Sequence, residues 1–251
     1  MHSSHFPNID DALLEPNGLL AQGGKLSADM LLDAYHHGIF PWPSGESDDL
    51  EMQLLWWSPD PRAVIFTDAV VCSKSLRKQI KRCGYRLTMN QAFDRVVDAC
   101  ATVDRHGSQG TWITNEIQRA YRELHSLGHA HSVEVWDNNE LIGGLYGVVV
   151  GELFCGESMF HIKANASKMA LLALAKYLRQ LNWPLIDCQI ENSHLSSLGA
   201  VLITREEFKR FLPTQEASLE KLIDKAPTAF GEHSWRFNTV LDLIETSAAS
   251  Q

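Results

Sequence analysis

The segment ELFCGESMFHIKANASKMALLALAKYLRQLNWPLIDCQI, residues 152–190, decides the fold class. Its first part, ELFCGESMFHI, has the β-forming and aromatic residues of a strand. The stretch NASKMALLALAKYLRQLN has the apolar spacing of an amphipathic helix, and PLIDCQI returns as a short strand. Strands and helices mixed in this way favour an α+β sheet domain.

The same alternation continues on both sides of this segment. AHSVEVWDNN and ELIGGLYGVVVG, residues 130–151, read as strands, and the short turns at DNNE and at Gly151–Glu152 predict antiparallel neighbours. Further upstream we predict the strands RAVIFT and YRLTMN and the helices SKSLRKQIKRC, QAFDRVVDACATV and TNEIQRAYRELHSLG. Downstream, NSHLSSLGAV predicts a short helix, and ITREEFKRFL closes the pattern.

The first 63 residues differ from the rest of the chain in composition. They are rich in Gly and Pro and contain one short helical stretch, SADMLLDAYHHG, with Ser27 as its N-cap and Gly38 just past its end. We therefore expect a small N-terminal α/β unit, residues 1–63, before a mixed-sheet domain, residues 64–251. Trp235 and Phe237 are expected to fold the tail back onto that domain.

Two polar residues interrupt the strand PLIDCQI. Asp187 and Gln189 are two positions apart, so on a strand their side chains share one face. A buried carboxylate is costly unless it is paired. Either Asp187 pairs with a helix N-terminus and Gln189 fills a hydrogen-bonding gap, or the two groups serve a reaction.

Composition narrows the functional classes. No apolar run approaches the roughly 20 residues that span a bilayer, and the N-terminus lacks the pattern of a secretion signal. Five cysteines without CxxC spacing indicate free thiols in a cytoplasmic protein. Neither a GxxxxGK[ST] loop nor a CxxC or HExxH metal motif is present, so we expect no nucleotide cofactor and no metal.

One segment is strongly basic, although the net charge of the chain is −9. Its cations recur at helical spacings of three and four without interspersed acids, and a helix capped by Ser73 would place them on one face. Such a face is either a solvated surface or a contact for phosphate groups. We call it the basic stripe: Lys74, Arg77, Lys78, Lys81 and Arg82.

The order of antiparallel strands, helix, strand and helix is that of acetyltransferase-like (GNAT-type) domains. Domains that bind coenzyme A place a Gly-rich loop before the central helix, where the helix amides hold phosphate. The corresponding connection here, CGESMFHIKANASKMA, lacks those glycines. We therefore expect an acyl donor other than coenzyme A.

Several blocks together resemble the leucyl/phenylalanyl-tRNA–protein transferase family. They occur in order from about Leu14 to about Leu212, and they are EPNGLLAQGG, GIFPW, LLWWSPDPRAV, GTWIT, AYRELHSLGHAHSVEVW, LIGGLYGV, FCGESMF, NASKMAL and LIDCQIENSHLSSLGA. The resemblance implies a bacterial cytoplasmic enzyme that moves Leu, Phe or Met from aminoacyl-tRNA to the α-amine of proteins beginning with Arg or Lys. The product would be marked for degradation, and the enzyme would work as a monomer.

The resemblance also assigns roles to individual residues. It places the catalytic step at Gln189 and Asp187, where Gln189 would accept from the attacking amine while Asp187 binds the Gln189 carboxamide. Alternatively, Asp187 would bind the basic side chain of the acceptor. Glu157 and Asn192 would contact the aminoacyl-adenosine end of the donor, and His194 is expected to be a surface cap. The donor side chain would enter a pocket formed by Trp42, Trp112, Leu145, Phe154, Met159, Leu171, Leu174 and Ile186.

The chain departs from the family pattern at a few positions. His161, Ile162 and Lys163 stand where Ser-Arg is usual, and Lys163 would have to supply the charge of that arginine. Leu145 and Leu174 stand where other members of the family carry Met and Phe, so we expect a shift in donor preference. Two other functions remain open: a cell-wall aminoacyltransferase and a non-catalytic adaptor that recognises basic N-termini.

Overall fold

The computed structural model describes residues 4–43, 54–102 and 113–213. The strands in these ranges are β1 (Leu19–Gln22), β2 (Phe40–Pro41), β3 (Leu55–Trp57), β4 (Arg62–Phe66), β5 (Arg86–Met89), β6 (Ala130–Asp137), β7 (Glu140–Val150), β8 (Leu153–His161), β9 (Leu185–Gln189) and β10 (Val201–Ile203). The α-helices are α1 (Ala28–His36), α2 (Lys74–Ile80), α3 (Phe93–Thr102), α4 (Asn115–Ser126), α5 (Ala166–Gln180), α6 (Ser193–Ser196) and α7 (Arg205–Lys209). A 3-10 turn covers Ile9–Asp11.

The main sheet has seven strands in the order β10-β4-β9-β8-β7-β6-β5. All of its neighbouring strands are antiparallel except β8 and β9, which are parallel and are joined through α5. The predicted hairpins β6–β7 and β7–β8 are confirmed, and the mixed α/β architecture agrees with the predicted class. A separate three-stranded sheet, in the order β1-β3-β2, belongs to the N-terminal part.

Polar caps set the beginnings of the helices. The predicted caps Ser27, Ser73 and Thr114 each accept a hydrogen bond from a backbone N–H in the first helical turn. Each cap satisfies one of the amide groups that the helix itself leaves without a partner. The sequence-based helices are therefore confirmed at these starts. Their ends agree within two residues for α1 and α4, whereas α2 ends at Ile80, three residues before the predicted Cys83.

The N-terminal part packs directly onto the main sheet. Leu31 and Tyr35 of α1 share a buried apolar cluster with Tyr146 and Val148 of β7. The predicted boundary at residue 63 remains a prediction, and Trp235 and Phe237 lie outside the described residues. No helix in the described ranges combines the length and the apolar character needed to span a bilayer.

The helix α5 covers the other face of the sheet. Its apolar side, including Met169, Ala173 and Leu178, is fully buried against β6, β7 and β8. Two leucines on the same helix, Leu171 and Leu174, lie close to the point where β8 and β9 separate. A cavity can therefore form at the place where these two strands separate.

Candidate active site

A cavity of about 550 Å³ lies between β8, β9, α5 and α6. The side chains around it are mostly apolar, with polar groups at one side. Of the seven described residues that the resemblance assigned to the pocket, six contribute to the lining: Leu145, Phe154, Met159, Leu171, Leu174 and Ile186. The cavity is also lined by Cys188, and because burial raises the pKa of its thiol, this side chain stays neutral.

The separation of two parallel strands creates the cavity. β8 and β9 pair only at Phe154–Ile186 and at Cys155–Asp187. Beyond these pairs β8 continues through Glu157, whereas β9 ends at Gln189. On the β9 side, β8 therefore has no paired strand after Cys155 in the described ranges, and the next residues, Gly156 to Met159, line the cavity.

A glycine on β7 permits the packing of the cavity wall. Gly147 lies where the pairing of β7 with β8 shifts register. A Cβ atom at this position would approach the Cys155 carbonyl oxygen to 2.3 Å and the Phe154 ring to 2.4 Å. Only a residue without a side chain allows the Phe154 ring to lie here.

Glu157 is the acid at the polar side of the cavity. Its Oε1 accepts from the Tyr35 hydroxyl at 2.7 Å and from Gln189 Nε2 at 3.2 Å, and its Oε2 accepts from the Tyr121 hydroxyl at 2.7 Å. Burial raises the pKa of Glu157 to about 7, and the hydrogen bonds from Tyr121 and Tyr35 oppose part of that rise. This carboxyl group can therefore change its charge near neutral pH.

Asp187 is enclosed by protein. Its side chain is fully buried, and Arg62 binds it through two parallel hydrogen bonds, from Nε to Oδ1 at 2.8 Å and from Nη2 to Oδ2 at 2.7 Å. The guanidinium group of Arg62 lies between the rings of Phe40 and Phe208, 4.9 and 4.6 Å from their centroids. The expectation that Asp187 binds the basic side chain of the acceptor is wrong, because both of its oxygens are engaged away from solvent.

The predicted contact between the Asp187 carboxylate and the Gln189 carboxamide is also wrong. Gln189 has a φ of +58°, a left-handed conformation that is uncommon for a residue with a side chain. Its backbone N–H donates to Asp187 Oδ1 at 3.0 Å, while its carboxamide donates to Glu157. The left-handed backbone turns the Gln189 side chain away from Asp187, so the simple rule that residues two apart share a face fails here.

Two further predicted residues, Asn192 and His194, line the cavity from α6. Asn192 caps this helix by accepting from the backbone N–H of Leu195 at 2.9 Å. His194 is exposed, which agrees with the expected surface position, and it also lines the cavity. Partial desolvation, followed by the nearby Lys168 and His161, lowers its pKa. The polar lining residues of the cavity thus include an acid, Glu157, an amide, Asn192, an imidazole, His194, and a hydroxyl group, Ser158.

Two predicted tryptophans do not join this set. Trp42 is exposed over 43% of its surface and, among the described residues, is not part of the cavity lining. Trp112 lies outside the described residues. Their assignment to the donor pocket stays a prediction.

The basic stripe forms an exposed surface on and just after α2. All five of its side chains are exposed, while Leu76 and Ile80 point into the core. Gln79 of the same helix donates to the Ala164 carbonyl and accepts from the Asn165 side chain, immediately before α5 begins. The stripe is therefore attached to the helix that forms one wall of the cavity.

Sequence reasoning missed three functional candidates: Arg62, Tyr35 and Tyr121. Arg62 could have been found, because an arginine that opens the apolar strand RAVIF needs a buried acid as partner. The tyrosines gave no comparable signal. They lie on α1 and α4, and only the tertiary fold brings their hydroxyl groups to Glu157.

The chain matches the models and the curated members of one protein family. A family model described as leucyl/phenylalanyl-tRNA protein transferase matches residues 64–213, and the model of its N-terminal domain matches residues 24–60. Proteins named leucyl/phenylalanyl-tRNA--protein transferase from Shewanella pealeana and Salmonella heidelberg are each 53% identical over 207 residues, which is 82% of this chain and 85% of each relative. A relative with the same name from Shewanella baltica is 55% identical over 203 residues, 81% of this chain and 83% of its own.

Among solved structures, that of L-PGS from Bacillus licheniformis aligns with 64% of this chain and 50% of its own, with a TM-score of 0.36 and 10% identity. That likeness is too distant to carry an argument. The match to the family models and the identity to the curated relatives are sufficient: this chain belongs to the leucyl/phenylalanyl-tRNA–protein transferase family.

Proposed function

We propose that this protein transfers Leu, Phe or Met from aminoacyl-tRNA to the α-amine of proteins that begin with Arg or Lys. Membership of the family supports the reaction class. The observation that carries the proposal is the apolar cavity with an acid at one side, because it fits an apolar aminoacyl group whose ester has to meet an amine.

The cavity would hold the side chain of the donor amino acid. Phe154, Leu171 and Leu174 offer an apolar surface, and Met159 can adjust its shape to Leu, Phe or Met. A pocket of this kind discriminates by shape, at about 1–3 kcal/mol for each methylene group. Branching at the Cβ atom, as in Ile and Val, would be rejected sterically.

The ester would lie at the polar side of the cavity, where Glu157 and Asn192 face the opening. Gln189 would accept a hydrogen bond from the acceptor amine through its carboxamide oxygen, because its Nε2 already donates to Glu157. Asp187 would be a positioning residue that holds the Gln189 backbone through its N–H. An aminoacyl ester is already activated, and orientation alone can remove on the order of 7–11 kcal/mol of such a barrier.

The basic stripe would bind the phosphates of the tRNA acceptor stem. Its five exposed cations carry no base-specific geometry, so this contact would position the tRNA without reading its sequence. The link from Gln79 to the start of α5 would keep this surface in a fixed relation to the cavity.

The remaining assignments belong to the same proposal. The fold would be of the acetyltransferase-like type, supported by antiparallel strands β5 to β8 followed by the crossover through α5 to the parallel strand β9. The enzyme would act in the cytoplasm as a monomer, without metal or cofactor, and would mark its products for degradation.

One transfer assay tests the proposal. The protein is mixed with radiolabelled phenylalanyl-tRNA and a peptide that begins with Arg, and the same peptide beginning with Ala serves as control. We expect label in the Arg peptide only. Binding of the peptide without transfer would favour the adaptor function, and label in a peptidoglycan precursor instead would favour the cell-wall enzyme.

A further inference from the structure

Glu157, Tyr35 and Tyr121 form a closed triangle of short oxygen–oxygen contacts. Each tyrosine hydroxyl lies 2.7 Å from one carboxyl oxygen, and the two hydroxyl oxygens are 2.5 Å apart. All three contacts have hydrogen-bonding distances. The triangle is assembled from α1, α4 and β8, so no local sequence preference produces it.

The triangle has fewer hydrogens than contacts while Glu157 is ionised. Each tyrosine hydroxyl has one hydrogen, and an ionised carboxylate has none. Two hydrogens therefore serve three contacts while Glu157 is ionised. A protonated Glu157 adds the third hydrogen, and each of the three groups can then donate once and accept once.

The two tyrosines cannot supply that proton themselves. Burial, followed by the charge of Glu157, raises the pKa of both phenols well above its usual value. Their hydroxyl groups therefore stay protonated across the physiological range. The proton that completes the triangle has to come from outside it.

Such a proton can reach Glu157 from the cavity. Glu157 lines the cavity, and Gln189, proposed above to hold the acceptor amine, donates to the same carboxyl group. A carboxylate has about four acceptor positions, of which Tyr35, Tyr121 and Gln189 occupy three. One position remains for an N–H of an amine that lies beside the Gln189 carboxamide.

Asp187 does not compete for this task. It is fully buried and is held by Arg62 through both oxygens, whereas Glu157 is partly exposed to the cavity. Gln189 is no competitor either, because a carboxamide is too weak a base to hold a proton at neutral pH. His194 also lines the cavity, but among the described residues no hydrogen bond joins it to Glu157 or to Gln189. Glu157 is therefore the titratable group in contact with the Gln189 carboxamide.

We infer that Glu157 is the proton acceptor of the transfer reaction and that Tyr35 and Tyr121 are positioning residues which complete a hydrogen-bonded ring when it is protonated. The uncharged acceptor amine attacks the ester carbonyl and forms the new C–N bond. Glu157 takes one N–H proton from the resulting intermediate. When the ester C–O bond breaks, the same proton passes to the ribose oxygen that leaves, so the ring returns to its starting state.

The inference rests on the proposed function, and one pH profile separates the two. The single-turnover rate of transfer from phenylalanyl-tRNA to an Arg peptide is measured from about pH 5.5 to 9 at saturating substrates. In the wild type we expect the rate to rise about a hundredfold per pH unit below the Glu157 pKa of about 7, because Glu157 and the acceptor amine both have to lose a proton there. From that pH to about pH 8 the rate should rise about tenfold per unit. The acceptor amine, with a reference pKa near 8, can add a second limb that no enzyme variant moves.

The tyrosine variants identify the limb that belongs to Glu157. Tyr121→Phe and Tyr35→Phe each remove a hydrogen bond that lowers the Glu157 pKa, an effect larger than that of opening the ring, so the acid limb should move to higher pH by about one unit. Tyr85→Phe, a tyrosine outside the triangle, is the matched control and should leave the profile unchanged. An acid limb that stays in place in both triangle variants would overturn the inference.

Substitution of the acid itself gives the second readout. Glu157→Gln keeps the size of the side chain but cannot take a proton, so transfer should slow by about 10²–10⁴-fold and the acid limb should disappear. Its affinity for a non-hydrolysable 3′-amide analogue of phenylalanyl-adenosine should stay within a few-fold of the wild type. A normal rate in Glu157→Gln would refute the role of Glu157 as proton acceptor and leave the proposed function standing. Absence of transfer by the wild type would refute the proposed function as well.

Discussion

Removal of Arg62 should destabilise the protein far more than removal of the whole Arg62–Asp187 pair. Arg62→Met leaves the Asp187 carboxylate fully buried without a cation, and loss of one partner from such a pair costs about 3–5 kcal/mol. For a chain of this size each kcal/mol lowers the melting temperature by about 2–4 °C, so the single variant should melt about 6–20 °C earlier.

The double variant Arg62→Met, Asp187→Leu replaces the pair by apolar side chains. The space between the Phe40 and Phe208 rings suits the flexible methionine, and no buried charge remains. Its free energy of unfolding should return to within about 2 kcal/mol of the wild type, because such replacements are often near neutral. Urea unfolding of the wild type, both single variants and the double variant completes this double-mutant cycle.

The same double variant separates stability from catalysis. It has no acceptor for the Gln189 N–H, which Asp187 Oδ1 binds in the wild type. We therefore expect a stable protein with slow transfer and normal affinity for the phenylalanyl-adenosine analogue. Destabilisation equal to the sum of the two single variants, or full activity of the double variant, would refute this role of the pair.

Four further predictions concern the cavity, the basic stripe, Gly147 on β7 and Asp33 on α1. Leu174→Phe fills part of the cavity and should lower kcat/KM for phenylalanyl-tRNA about 10–200-fold more than for leucyl-tRNA, whereas Leu172→Phe, outside the lining, should change neither. Reversing three charges of the basic stripe, at Arg77, Lys78 and Lys81, should raise KM for aminoacyl-tRNA and weaken the dependence of this KM on salt. Kinetics equal to those of a control that reverses three exposed cations elsewhere would show that the stripe is not part of the tRNA interface. That control is Lys25→Glu, Arg119→Glu and Arg210→Glu. Gly147→Ala should cost about 1–3 kcal/mol of unfolding free energy by overlap with the Cys155 carbonyl, while Gly84→Ala, which has open space, should cost little. The pKa of Asp33 is lowered from 3.8 to about 2, because the hydrogen bonds from His37 and His5 outweigh the opposing effect of burial. The free energy of unfolding in urea should therefore be larger for the wild type than for Asp33→Asn, with the full difference above pH 4 and a shrinking difference towards pH 2.

The regular part of the fold could be predicted because local signals and the global arrangement agree. Ser73 and Thr114 mark the starts of α2 and α4, and the turns at DNNE and Gly151–Glu152 set the antiparallel hairpins. The short strands β1, β2, β3 and β10 were not predicted. Their residues are few, and their pairing depends on distant partners such as β4.

The apolar lining of the site was predictable and its polar network was not. Six residues that the family motifs assigned to the donor pocket line the cavity. The partners of Asp187 and Gln189 were misassigned, because the positive φ of Gln189 breaks the alternation of the strand and Arg62 approaches from a different strand. Tyr35 and Tyr121 reach Glu157 only through the packing of α1 and α4, which no sequence spacing expresses.

A crystal structure with the 3′-amide analogue of phenylalanyl-adenosine would test the site most directly. We expect the phenyl ring between Phe154, Leu171 and Leu174, with the amide nitrogen that replaces the ester oxygen within about 4 Å of Glu157. An analogue bound elsewhere, with the cavity empty, would contradict both the donor pocket and the role of Glu157.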